Sequence, residues 1–134
     1  MGITEFKLIY FDTNKGEKLI HSAQELHTAL LELQNATSKP ESVNLISPNG
    51  DILTIAIGAD FGFIQFERSS LDSSYLIAVE KRKMSVENYR EVDAGGTPTP
   101  IPEHACLSTE KVIDIALYYF DHLTIPNYVR WEEV

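Results

Sequence analysis

The sequence has a single cysteine, Cys106. An intramolecular disulfide is therefore excluded, and no second thiol exists to build a metal knuckle. That usage suits a reducing compartment. Long apolar runs are missing as well: no stretch approaches the roughly 20 residues a membrane-spanning helix needs. The opening "MGITEFKLIY" lacks the basic-then-apolar order of a secretory signal. Phe6 stands where a myristoylation signal requires Ser or Thr. The expectation is a soluble protein of the cytoplasm, with no membrane partner. Positive charge is scarce. Eleven Lys and Arg face twenty Asp and Glu, a net charge of −9. Binding nucleic acid directly through a basic patch is disfavoured. The same acidity keeps a small protein in solution, and it speeds encounter with a basic partner.

Catalytic signatures are also lacking. The four histidines, His21, His27, His104 and His122, include no pair at the spacing of a helical zinc site. His104 and Cys106 supply only two ligand types within one loop. A nucleophilic pair there would need an orienting acid and an oxyanion hole, which nothing local provides. Cys106 reads as a small apolar residue at a helix entrance. "AGGTP" has neither the lysine nor the helix start of a phosphate loop, and no nucleophile elbow is present. The expectation is no catalytic residue, no cofactor and no metal: a protein that works by binding.

What is present suffices for one domain over residues 1–134. With 43% hydrophobic residues the chain can build a core without staples. "EFKLIYFD" predicts a first strand, followed by a turn at Gly16. Ser22 and Glu25 form a capping box at the start of a helix bearing Leu26, Leu30 and Leu33. "SVNLISPNGDILTIAIG" predicts a hairpin around Pro48 and Gly50, its second strand apolar on both faces and hence interior. "FIQFERS", "SYLIAVEK" and "KMSVENYREV" continue as strands. "DAGGTPTPIP", residues 93–102, reads as a surface loop because three of the six prolines lie in it. Ser108 or Thr109 then caps a second helix, with Val112, Ile113, Ala116, Leu117, Phe120 and Leu123 as its apolar stripe. The only tryptophan, Trp131, falls in a last strand, "NYVRWEEV". Termini fray unless docked, so Trp131 is expected to anchor this end against the sheet or the second helix.

Two surfaces stand out as candidates for binding. On a strand, Glu87, Tyr89, Glu91 and Asp93 share one face. An acidic row with an aromatic in it suits a basic surface that handles nucleic acid, because carboxylates can occupy phosphate positions. Asp60 and Phe61 form a second candidate at a hairpin tip, an aromatic beside an acid.

The C-terminal third, "IPEHACLSTEKVIDIALYYFDHLTIPNYVRWEEV", resembles the immunity protein 1 family of bacterial polymorphic toxin systems. The family pattern of a proline-containing loop, a helix with buried Ala and Phe, a proline break and a strand ending in Trp falls on Pro102, Ala116, Phe120, Pro126, Val129 and Trp131. "DILTIAIGADFGFIQFE" is similar to the family's central hairpin through Gly58, Asp60 and Phe66. Members often carry a glycine between the helix and the following proline, where this chain has "DHLTIP". The resemblance implies a non-enzymatic cytoplasmic protein that binds and blocks a cognate toxin domain, usually a deaminase or a nuclease.

Together these readings predict an α+β domain, an antiparallel sheet of about six strands with two main helices packed on it. The expected activity is occlusion of a toxin's active site by a protein that is monomeric when free. A small-ligand-binding or enzymatic domain on a curved sheet is the alternative; it would need a deep pocket lined by His104, His122 or several carboxylates. A homodimeric module joined by exposed strand edges is a third reading.

Overall fold

Every second residue of the central strands is apolar, and this alternation decides which face of the sheet is covered by helices. The computed structural model describes residues 5–12, 14–36, 39–69, 74–80 and 88–134. Its strands are β1 (Phe6–Tyr10), β2 (Glu17–Ile20), β3 (Glu41–Ile46), β4 (Ile52–Ile57), β5 (Gly62–Glu67), β6 (Tyr75–Val79), β7 (Tyr89–Ala94), β8 (Thr97–Pro102) and β9 (Arg130–Glu133). Helix α1 (Ala23–Ala36) follows β2, and α2 (Thr109–His122) precedes β9. The main sheet runs β2-β1-β3-β4-β5-β6-β9 with antiparallel neighbours throughout. The β7–β8 hairpin joins it through one parallel pairing, Glu41 with Asp93.

Register aligns the apolar residues into rows. Leu8, Leu45, Leu53, Phe66 and Leu76 face one another across five strands. Both helices close this face. Leu26, Ala29, Leu30 and Leu33 come from α1, and Val112, Ile115, Ala116, Tyr119 and Phe120 from α2. Phe6 sits against Tyr119 edge-on at 5.6 Å and against Phe120 at 4.7 Å between ring centroids. Gly62 lets α2 approach closely: a Cβ there would lie 2.4 Å from the Ala56 carbonyl oxygen and 2.7 Å from Val112 Cγ2.

The helix ends follow local chemistry. The Glu25 amide donates to Ser22 Oγ at 3.1 Å, and the Glu25 carboxylate accepts from the His21 amide at 2.7 Å. Ser108 Oγ accepts from the Lys111 amide at 3.2 Å. At the end of α2, Leu123 takes a left-handed conformation (φ 59°). Leu123 thus occupies the kind of left-handed cap that glycine usually fills. The last strand is docked as expected. Trp131 pairs with Ala78 of β6, packs on the helix-side core, and donates its indole N–H to the Pro126 carbonyl at 2.9 Å.

Three expectations need correction. Among the described residues the sheet has nine strands rather than about six. β2 was hidden in the stretch after the Gly16 turn, and residues 93–102 form part of a hairpin instead of a loop. The buried stripe of α2 is rotated: Ile115 and Tyr119 are fully buried, whereas Leu123 is 44% exposed. Residues 83–87 of the predicted "KMSVENYREV" strand lie outside the described residues. Among the described residues, no helix is long and apolar enough to cross a membrane.

Candidate partner-binding surface

The second face of the sheet is closed at one end by the β7–β8 hairpin. Ala94 and Thr97 form its closing pair, leaving Gly95 and Gly96 as a two-residue turn with φ 65° and 90°. Such a turn needs positive φ at both positions and matches the twist of the strands. The Asp93 carboxylate accepts from the Gly96 amide and reinforces it. Gly95 also lies against β1, where a Cβ would sit 2.9 Å from the Phe11 carbonyl oxygen. The hairpin's inner face buries Val92 and Ile101 against Ala56, Phe61, Phe63, Ile77 and Val79.

Alternation then turns Tyr89, Glu91 and Asp93 to the outer face. Tyr89 is 63% exposed. The Glu91 carboxylate meets Lys39 Nζ at 3.0 Å, a contact made in solvent. Opposite these three residues the register places Pro102, Pro100 and Pro98. These prolines sit where β8 points its backbone away from β7, since Glu103, at odd parity, donates its amide back to Asn88. They remove the edge donors that would let another strand add on, the usual use of proline in an edge strand. The outer face is therefore a pre-organised two-stranded tongue with an acidic–aromatic rail and a proline rail.

Of the other residues singled out, Asp60 is exposed at the β4–β5 tip. Phe61 is not an exposed anchor: it is 7% exposed, with the Arg90 guanidinium 3.8 Å from its ring centroid. The hairpin folding back over the sheet is what covers it. Glu87 lies outside the described residues. The proline rail and the Arg90–Phe61 contact escaped the sequence reading. The alternating spacing of "TPTPIP" was the one signal available.

The clefts offer little organised chemistry. Where β1 and the hairpin diverge, a cavity of about 360 Å³ is bordered by Asp12, Glu41 and Asp93. Each carboxylate is already engaged. Asp12 accepts from the Asn14 amide at 3.0 Å, Glu41 binds Lys15 Nζ at 2.7 Å, and Asp93 holds the turn. The hydrogen bond to Glu41 is the main reason the Lys15 ammonium is pushed above the usual lysine range. A second groove, of about 290 Å³, runs between the hairpin and the open part of the sheet past Asn44, Thr54, Gln65 and Tyr75. His104 lines neither. It is 5% exposed, and its Nε2 lies 3.0 Å from Glu132 Oε1, which braces β9 against the 3₁₀ turn Glu103–Ala105. Cys106 Sγ lies 3.6 Å from the Pro102 carbonyl oxygen. Among the described residues no cluster of three or more His, Cys, Asp or Glu could hold a metal ion.

Compared with known proteins, residues 14–133 match a family model described as Immunity protein Imm1. A search of curated proteins finds no match.

Proposed function

The chain belongs to the immunity protein Imm1 family, and from that premise we propose that it binds a cognate bacterial toxin domain, a deaminase or a nuclease, and neutralises it by covering the active site. The observation that carries this reading is the match itself, which spans residues 14–133 and so takes in both helices and all but the first strand. Membership supports an inhibitor that acts by binding rather than by catalysis.

The surface geometry supports the same reading. Tyr89, Glu91 and Asp93 are presented outward on a hairpin whose shape is set before any partner arrives, which lowers the ordering cost of association. A tyrosine supplies contact area with little rotamer freedom to lose, and it commonly anchors interfaces. The net charge of −9 would steer a basic toxin toward the protein. In this reading the free protein is a cytoplasmic monomer that touches neither nucleic acid nor membrane. Asp60 and the Tyr89–Glu91–Asp93 rail form the contact, with Glu87 extending it. An enzymatic or ligand-binding role would draw on the carboxylate-lined cleft, where Asp12 accepts from the Asn14 amide and Glu41 binds Lys15.

The test is rescue. The toxin domain encoded beside this gene is expressed with and without the protein. Survival together with a co-purifying complex is expected; cell death with no complex overturns the reading.

A further inference from the structure

The exposed side of α2 carries a second surface, built on other elements than the β7–β8 hairpin. Glu110, Asp114, Tyr118 and Asp121 follow one another at helical spacing and so share one side. The rings of Tyr118 and His122 stack with centroids 4.0 Å apart and planes 17° from parallel. Tyr128, from the segment after the helix, meets Tyr118 edge-on at 5.8 Å. His122 Nδ1–H donates to the Tyr118 carbonyl at 3.0 Å, which fixes the imidazole. Three rings are thus set against one another at the end of α2. The core does not require Tyr128, which is 57% exposed.

Carboxylates of α2 adjoin these rings. Asp114 is near enough to Tyr128 to reinforce the upward push that burial gives its phenol pKa. Lys111, the one lysine of α2, faces Glu80 instead, at 3.6 Å. Among the described residues no ion pair engages Glu110, Asp114 or Asp121. Aromatic faces and uncompensated carboxylates attract the same thing, a cation with an apolar plane.

We propose that this ledge of Tyr118, His122 and Tyr128 flanked by Asp114 docks an arginine side chain of a basic polypeptide partner. Arginine fits better than lysine for three reasons. Its planar guanidinium stacks on rings, it sheds water more readily, and it can donate to a carboxylate while stacked. The proposal asks only for an arginine-bearing chain and so stands apart from the toxin reading.

The test uses the intact protein and three octapeptides, alternating glycine with arginine, lysine or citrulline. Binding is followed by NMR shifts of backbone amides and aromatic side chains. The arginine peptide is expected to perturb residues 114–128 and to bind about three- to fivefold tighter than the lysine peptide, the range of an exposed cation–π contact. Citrulline, which keeps the shape and loses the charge, should not bind. Tyr128→Ser and Tyr118→Leu should each weaken arginine binding to the lysine level, and Glu17→Gln, on exposed β2, should leave it unchanged. Equal affinity for arginine and lysine, shifts spread over all carboxylates, or indifference to Tyr128→Ser would each overturn the proposal. Because Tyr128 lies outside α2 and is largely exposed, that variant keeps the test sound even if Tyr118→Leu disturbs the helix.

Discussion

The two faces of the sheet are closed in different ways. Helices α1 and α2 seal one face with large side chains, and Phe6, Leu8, Leu45, Leu53, Ile55, Ile64 and Tyr119 have no exposed surface there. On the other face a six-residue-per-strand hairpin covers only one end, over Ala56, Phe63, Ile77 and Val79. The next row, Asn44, Thr54 and Gln65, is polar and half-buried, with Thr54 donating to Asn44 at 2.7 Å. Burial area scales with stabilisation, so the helix face carries most of the folding free energy. The hairpin face is left to present chemistry outward. The difference separates a face sealed by large side chains from one that keeps a half-buried polar row.

The sharpest way to break this comparison is to truncate a side chain on each face. Phe6→Ala removes a ring that touches both Tyr119 and Phe120, and about 3–5 kcal/mol should be lost. Val92→Ala, under the hairpin, should cost about 1.5 kcal/mol, the value of two buried methylenes. Urea denaturation of both variants gives the two numbers. Equal losses would mean that the hairpin face is as integral to folding as the helix face.

Next in size is a pH effect confined to the helix face. Tyr119 is fully buried, and its hydroxyl donates to the Asp51 carbonyl at 3.0 Å. Burial pushes its pKa up to about 12; a hydrogen bond with Ser47 opposes this and the Asp51 charge adds to it. The folded value lies above the unfolded one, so the native state holds the proton more tightly. This stabilisation is complete below pH 10 and is lost as pH rises toward 12, on the order of 2–3 kcal/mol in total. Stability should fall across that window, and Tyr119→Phe should flatten that part of the fall. A slope the same in both proteins would remove Tyr119 as its cause.

These elements were not equally legible in the sequence. Both helices, the Pro48–Gly50 hairpin and the docked Trp131 follow from signals a few residues long, such as Ser22 with Glu25 or Ser108 before Lys111. β8 was not legible, because proline argues against a strand unless its missing N–H faces away from the partner strand. Only the pairing with β7 reveals that all three prolines sit that way. The outward row of Tyr89, Glu91 and Asp93 needs nothing but the period of a strand, and was readable. The burial of Phe61 depends on Arg90, which reaches it only once the hairpin folds back. Tyr119 was overlooked for a similar reason: its hydroxyl finds a partner in Asp51, distant in the chain.

A smaller effect should appear where the hairpin is tied to the sheet. Gly95→Ala forces a side chain into φ 65° and sets its Cβ 2.9 Å from the Phe11 carbonyl oxygen. A loss of about 1–2 kcal/mol is expected from the left-handed conformation alone. Hydrogen exchange should quicken in residues 89–102 while α2 and β4 stay protected. Uniform quickening would show that the hairpin unfolds only with the whole domain, which would erase the division between the faces.

The smallest effect on stability should accompany a large one on binding. Tyr89→Ala removes a ring that is 63% exposed, and Glu91→Gln removes one partner of a solvent-facing ion pair with Lys39. Neither should shift stability by more than about 0.5 kcal/mol, as is usual for surface positions. If the outer rail is the toxin contact, Tyr89→Ala should weaken the complex about tenfold or more, mainly by faster dissociation, the behaviour of an interface anchor. Glu91→Gln should chiefly slow association and make it less sensitive to salt, the behaviour of a steering charge. Measured by surface plasmon resonance against the co-expressed toxin domain, the two variants thus split the rail into an anchor and a guide. Unchanged rate constants in both variants, with the complex still formed, would move the contact off the hairpin to another surface of the molecule.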